Sequence, residues 1–330
     1  QWLLVKARED AVDHLYFLSR EGRLMKAVYD TWTTGLPDTP RSEYLVVSRR
    51  CSSMAAVSSF EDILDIAKTT YYPNTLRKLL HTRYGISPSA EKWQQIARAE
   101  NLGPESIVEI QQNRIGRLEA VLDMLREEIN TRAESEKTGL LQQLSVLGMP
   151  AAKNPAVADV GYGGSVQGHL NKILGKPVHG YYLLTDERSR RVADRFNVHL
   201  RGCFGEEIGS SQESPLIFRY SFDLEKLLSS NDPQIEYYEM EAGQAVGHYR
   251  PLADEELAAS ETRNQIQAGA LQYTADLREI RQNLLPDIQP SSFVATSLMD
   301  AFLTNQSDAE IALLSSIVLD DYYCGRDLVA

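Results

Sequence analysis

Short apolar runs that end in polar, glycine-bearing turns and pass into helical spacing dominate the first part of the chain. His14-Leu15-Tyr16-Phe17-Leu18 is such a run, and it stops at Ser19-Arg20-Glu21-Gly22. Leu24, Met25, Val28 and Tyr29 then recur at the spacing of one helix face, so the pattern predicts strand, turn, helix. Tyr44-Leu45-Val46-Val47 predicts a second buried strand, ending in the cationic tip Ser48-Arg49-Arg50. From about Phe60 to Leu147 the spacing is helical, including the stretches around Ile107-Val108-Glu109-Ile110 and Leu118 to Leu125. Ala156-Val157-Ala158-Asp159-Val160 predicts a third strand, Gly161-Tyr162-Gly163-Gly164-Ser165 a loop, Val166 to about Leu174 a helix, and Val178 to Leu184 another strand. Beyond about Tyr220 the pattern is again mostly helical, as in Ile266 to Leu284 and Ser297 to Leu319. No internal repeat or low-complexity tract interrupts it.

Strands alternating with helices predict an α/β fold built on a Rossmann-like, mostly parallel sheet. The core is expected in 1–57 and 148–219, with a helical insertion at 58–147 and a C-terminal helical hood at 220–330. In such sheets the ligand lies beyond the carboxyl ends of the strands. The turn after Leu18, the tip after Val47 and the loop after Asp159 are all expected there.

Chain length and composition limit the chemistry. With 330 residues, 43% of them hydrophobic, the chain can build a sizeable core. Its 34 basic and 46 acidic side chains leave a net charge of −12, which argues against a general affinity for nucleic acid. Cys51, Cys203 and Cys324 lack the paired spacing of a zinc site or a disulfide framework and read as ordinary thiols. No apolar run has the length of a membrane span and no signal-peptide pattern opens the chain, so a cytoplasmic protein is expected. Gln1 followed by the helical Trp2-Leu3-Leu4-Val5-Lys6 suggests a piece of a longer polypeptide with a neighbouring module.

The glycine loop offers main-chain donors and a helix N-terminus to a phosphate, with the Ser165 hydroxyl as a further donor; the alternative is a tight turn capped by Ser165. Two familiar phosphate motifs fail. The dinucleotide fingerprint needs glycine where Val166 stands, and the triphosphate loop needs lysine and a hydroxyl where His169-Leu170 stand. Arg20, Arg49 and Arg50, placed just past strand ends, suit bidentate contacts to phosphate oxygens. Their alternative is solvation of loop tips. His169 and His179 have no second histidine at ligand spacing and are assigned no role. Tyr237-Tyr238 and Tyr322-Tyr323 are candidates to line a sugar cleft, or ordinary packing residues. The chain contains no Asp-x-Asp triplet, the usual metal-binding signature of transferases that use nucleotide sugars.

Three blocks together carry a resemblance: Leu15 to Gly22, Tyr44 to Arg50, and Val157-Ala158-Asp159-Val160-Gly161-Tyr162-Gly163-Gly164-Ser165-Val166-Gln167. They resemble the phosphoribosyltransferase-like module of bacterial polysaccharide-biosynthesis proteins. The resemblance implies a type I phosphoribosyltransferase-like fold and transfer of a 5-phosphoribosyl group from phosphoribosyl pyrophosphate (PRPP), with Mg²⁺, to a sugar hydroxyl. The acceptor would be a lipid-linked or oligosaccharide intermediate of a surface glycan such as O antigen or capsule, met at the inner face of the cell membrane. A haloacid-dehalogenase-like phosphatase module would then remove the 5-phosphate. Carried over by position, Ser19, Arg20, Gly22, Ser48, Arg49 and Arg50 would bind pyrophosphate. Gly161, Gly163, Gly164 and Ser165 would cradle the 5-phosphate. Asp159 would meet the ribose hydroxyls, and Arg20, Glu21 and Asp159 would be the catalytic group. Nucleotide-forming relatives carry two adjacent acids before a threonine-rich loop. Here Asp159 stands alone before Val160 and a Gly-Gly-Ser loop, which argues against a nucleobase acceptor. A non-catalytic phosphosugar-binding or scaffolding module is the alternative.

Overall fold

A computed structural model describes residues 1–211 and 213–329. Its strands are β1 (His14–Leu18), β2 (Arg41–Leu45), β3 (Tyr71–Thr75), β4 (Ile107–Ile110), β5 (Pro155–Asp159), β6 (His179–Tyr182), β7 (Leu200–Gly202), β8 (Ile235–Glu241), β9 (Gln244–Tyr249), β10 (Leu319–Asp320) and β11 (Leu328–Val329). The chain divides into two compact units, each assembled from three stretches. The first takes Gln1–Ser48, Leu144–Gln234 and Arg250–Val318; the second takes Arg49–Gln143, Ile235–Tyr249 and the stretch from Leu319 onward.

The first unit is α/β. Its five strands are all parallel, in the order β2-β1-β5-β6-β7. Leu15 to Leu18 are buried without a break, as expected for a strand covered on both faces. Leu15 and Phe17 pack with Ala156, Ala158 and Tyr181 against Leu4, Ala7 and Tyr29. Strand β1 pairs with β2 on one edge and β5 on the other, so Phe17 is flanked by Tyr44 and Ala158. The direction in which the sheet grows therefore reverses at β1.

The second unit is mostly helical around a core that includes Met54, Ile63, Leu76, Leu80, Tyr84 and Leu122. Arg83 lies within this unit with no exposure at all. Its guanidinium donates to the carbonyls of Ile66 (3.1 Å), Ala67 (3.0 Å), Thr69 (2.9 Å), Thr70 (2.7 Å) and Tyr323 (3.1 Å). The rings of Tyr71 and Tyr323 stand 4.8 and 5.1 Å from it. The helix Phe60–Lys68 ends here, and its last carbonyls have no helical donors. A fork of N–H donors meets that need, and its charge suits the negative end of the helix.

Several expected elements differ. Ile107–Ile110 is not helical but forms β4, antiparallel to β3. Its β-branched residues favour a strand, and the positive φ of Gln112 and Asn113 marks a turn just beyond. Residues 235–249 are a hairpin rather than helix: Ala242 and Gly243 take φ of 47° and 82° between the paired Glu241 and Gln244, the geometry of a two-residue turn. The helix expected over Ser297 to Leu319 is broken into Ser292–Thr304 and Asp308–Ser315. Ser307 and Glu310 form a capping box that starts a new helix. Strand β2 begins and ends earlier than expected, so Val46 and Val47 lie past its end, and β7 was not expected at all.

Replacing Arg83 by Met is expected to leave several buried carbonyls unpaired and to destabilise the second unit by about 3–5 kcal/mol, the range for breaking a buried charged interaction. Hydrogen exchange along Phe60–Lys68 in the variant checks this, and unchanged protection there would contradict it.

Candidate functional site

Because β1 and β5 are adjacent and parallel, the turns that follow them leave the sheet side by side. The reversal of strand order at β1 is where a doubly wound sheet opens its crevice. Ser19 extends β1: its N–H donates to Leu45 O at 3.0 Å, and its hydroxyl donates to Val47 O at 2.8 Å and accepts from Val47 N–H at 3.0 Å. Ser19 thus ties two strand ends together. Glu21 accepts the Arg20 N–H at 3.1 Å and the Ser229 hydroxyl at 2.5 Å. Gly22 opens the helix Gly22–Thr33, where a Cβ would stand 2.7 Å from the Phe17 carbonyl carbon, so close packing accounts for this glycine. The Ser19–Arg20 and Gly161–Tyr162 peptide bonds, one in each turn, are both cis.

After β5, the Asp159 carboxylate accepts the Val160 N–H at 2.8 Å. Gly161 passes so near the chain just beyond β6 that a Cβ would sit 2.6 Å from Leu184 O. Gly164, at φ 73°, is the N-cap of the helix Ser165–Leu174, and a Cβ there would meet Leu200 at 2.1 Å. Ser165 is therefore the first helical residue and not the cap. No side chain caps this helix, so its first-turn N–H groups face the loop with the positive end of the dipole. A cleft of about 260 Å³ beside the loop is lined by Tyr162, Asp186, Arg188 and Ser221, among others. Burial pushes the Tyr162 hydroxyl well above its usual range, and it donates to Ser221 O at 3.2 Å.

Arg20 leads to a group of charges that sequence reasoning missed. One of its terminal nitrogens lies 3.7 Å from the Glu256 carboxylate. Glu256 is buried and accepts two bonds from Arg250, at 2.8 and 3.0 Å, and the Ala253 N–H at 2.9 Å. Burial alone would raise its pKa. The Arg250 and Ala253 bonds and the charges of Arg250 and Arg20 outweigh that and hold it below the usual carboxylate range. Arg263, also buried, donates to Asn231 Oδ1 at 2.5 Å. Arg250, Glu256 and Arg263 fall in a stretch whose polar composition reads as surface, and no motif marks them.

The remaining expected residues are placed differently. Ser48 is buried at the end of the first unit's opening stretch. Arg49 and Arg50 are not a strand tip: they open the helix Arg49–Ala55 of the second unit. Arg49 is exposed, 5.7 Å from the Tyr323 ring centre. Arg50 is buried and binds Glu136 with both terminal nitrogens, one at 2.8 Å, and Glu236 O at 2.9 Å. Tyr237 stacks on His248 with ring centres 4.4 Å apart and carries the Arg132 guanidinium on its ring, while Tyr238 is buried. Ser19, Arg20, Glu21, Gly22 and Asp159 to Ser165 are thus brought together in the first unit, and Arg49 and Arg50 belong to the second.

Comparison with protein-family models gives no match for this chain, and comparison with curated proteins gives none either.

The lowered Glu256 pKa sets a pH dependence. Its contribution to stability is complete above the ordinary glutamate value of about 4.3 and is lost as pH falls through the depressed folded value. Glu256→Gln is expected to be less stable at neutral pH and to show a shallower loss of stability below about pH 4. Urea unfolding across pH 2–7 measures both; parallel wild-type and variant curves would refute it.

Proposed function

We propose that the first unit binds PRPP and transfers its 5-phosphoribosyl group to a sugar hydroxyl of a bacterial surface-glycan intermediate, releasing pyrophosphate. The observation that carries this reading is the pairing of two anion-suited turns on adjacent parallel strands: the Arg20-Glu21 turn after β1 and the uncapped helix after the Gly161–Ser165 loop. PRPP carries phosphate groups at two ends of one ribose, so two such turns at one crevice suit it. In this reading Gly161, Gly163, Gly164 and Ser165 hold the 5-phosphate through main-chain donors, as helix N-termini do. Ser19, Arg20 and Gly22 form the pyrophosphate turn, and Asp159 meets the ribose hydroxyls.

The reaction breaks the bond between ribose C1 and the pyrophosphate oxygen, forms one between C1 and the acceptor oxygen, and sends the acceptor proton to a base or to solvent. Negative charge grows on the leaving pyrophosphate, where fixed donors such as Arg20 stabilise the transition state more than the ground state. Glu21 and Asp159 put carboxylates beside the phosphate-binding turns, the kind of donor that suits Mg²⁺ bound mainly through substrate phosphates. The metal would add charge neutralisation of the leaving group. A haloacid-dehalogenase-like phosphatase acting next would take the 5-phosphate from the product. Among the described residues no helix is long and apolar enough to cross a membrane.

A second reading, a phosphosugar-binding module without turnover, is favoured by one observation. Both carboxylates near the crevice already accept hydrogen bonds within their own turns, so neither stands out as a general base.

The test is incubation with PRPP, Mg²⁺ and glycan acceptors, reading pyrophosphate release and product mass. A product heavier by one phosphoribosyl group is expected; PRPP binding without turnover on any acceptor would select the second reading. PRPP at ~100 times its Kd should add about 2.7 kcal/mol to stability. Arg20→Ala should lower turnover at least about tenfold through loss of a transition-state donor, and Asp159→Ala at least about tenfold through loss of the acceptor for the ribose hydroxyls.

A further inference from the structure

Arg263 is the least compensated of the buried charges around Arg20. It is 4% exposed. Its partners are the Asn231 side-chain oxygen at 2.5 Å and the Ser230 carbonyl at 3.5 Å, both neutral, and among the described residues no carboxylate lies within ion-pairing distance. Its Nε is buried and has no hydrogen-bond partner.

The surroundings make the charge harder to keep. Arg263 sits in the first turn of the helix Ser260–Asn283, where the backbone dipole already presents positive charge. Burial is the main influence lowering its pKa. The next is repulsion from Arg20, ahead of the opposing attraction of Glu256 and Glu21. Arg250 adds a further positive charge, bound to Glu256 by two hydrogen bonds. A buried cation without a counter-charge is costly, and here the guanidiniums of Arg20 and Arg250 both engage Glu256 while Arg263 has only neutral hydrogen-bond partners.

We propose that Arg263, together with Arg20 and Arg250, forms a subsite for a multiply charged phosphate group, the pyrophosphate end of the substrate. A guanidinium offers paired N–H donors that match phosphate oxygens, and a polyanion compensates several cations at once where a single carboxylate would not. Arg20 begins the turn at the carboxyl end of β1, which connects the subsite to the crevice. The identity of the natural ligand rests on the PRPP reading above; the existence of an anion subsite does not.

Inorganic pyrophosphate is the probe, titrated calorimetrically into the whole chain at several salt concentrations, with sulfate as a control for general anion affinity. The wild type should bind pyrophosphate more tightly than sulfate. Arg263→Gln should weaken binding about 10–100-fold, the range for one hydrogen-bonded charge, and flatten the salt dependence, while Arg263→Lys recovers part of the affinity. Asn231→Asp serves as a second variant, in case the glutamine form fails to unfold cooperatively. It places a carboxylate on the atom Arg263 already touches, and should raise the melting temperature while weakening pyrophosphate binding. Equal pyrophosphate affinity in wild type and Asn231→Asp, or no binding to wild type, overturns the subsite. Pyrophosphate binding that depends on Arg263, with no PRPP turnover in the wild type, keeps the subsite and removes the donor assignment. Pyrophosphate affinity and PRPP turnover that are both unchanged in Arg263→Gln remove the subsite and keep the donor.

Discussion

Strand β1 is paired along both edges, and the candidate site exists because of that pairing. One neighbour, β2, follows closely in sequence, whereas β5 follows only after residues 49–143 have been built into the second unit. A parallel neighbour requires a crossover, and the entropy of closing a longer one grows only with the logarithm of its length. The sheet therefore tolerates a large excursion between β2 and β5 without giving up their common neighbour. The Ser19 hydroxyl, joined to both the N–H and the carbonyl of Val47, carries the β1–β2 association past the last ladder residue. The turn that begins with Arg20 thus starts from a fixed point.

Four of the buried arginines among the described residues illustrate three ways of holding a buried guanidinium. Arg83 is surrounded by main-chain carbonyls and two tyrosine rings. Arg50 and Arg250 each face one buried glutamate, Glu136 and Glu256, through two hydrogen bonds. Arg263 has an amide oxygen and a distant carbonyl. Arg83 and Arg50 are held wholly within the fold and read as architecture, whereas Arg250 shares the Glu256 carboxylate with Arg20. Arg263, the third arrangement, has only neutral partners and a buried Nε without one, and it belongs with Arg20 and Arg250 to the charges around the crevice.

How much of this was visible in the sequence followed from what each residue has to satisfy. Leu15 to Leu18 and Ala156 to Ala158 announce themselves because a strand buried on both faces must be apolar throughout. The Gly161–Ser165 loop was equally visible, although Gly161 answers first to the Leu184 carbonyl and Gly164 to a left-handed turn, needs that glycine spacing alone does not separate from phosphate binding. The β8–β9 hairpin was overlooked because adjacent Tyr237-Tyr238 and three glutamates in Ile235 to Glu241 break strict alternation, and its neighbours on both sides are helical. Arg50 and Arg263 were misjudged or missed for one reason. The burial of an arginine is decided by partners far away in sequence, Glu136 for one and Asn231 for the other, and no local pattern encodes them.

The carbonyl cradle of Arg83 also orders events during synthesis. Four of its five acceptors are made before Arg83 itself, but Tyr323 lies 240 residues downstream. At the usual 5–20 residues per second, roughly 10–50 s separate the two on the ribosome. For that interval the nascent second unit holds its buried cation with one face of the cradle open and only one aromatic ring against it. The same stretch supplies Gly325 and Asp327, which bind Asn74 and Lys78. The unit that begins forming first after Ser48 is thus completed only when the final described residues emerge.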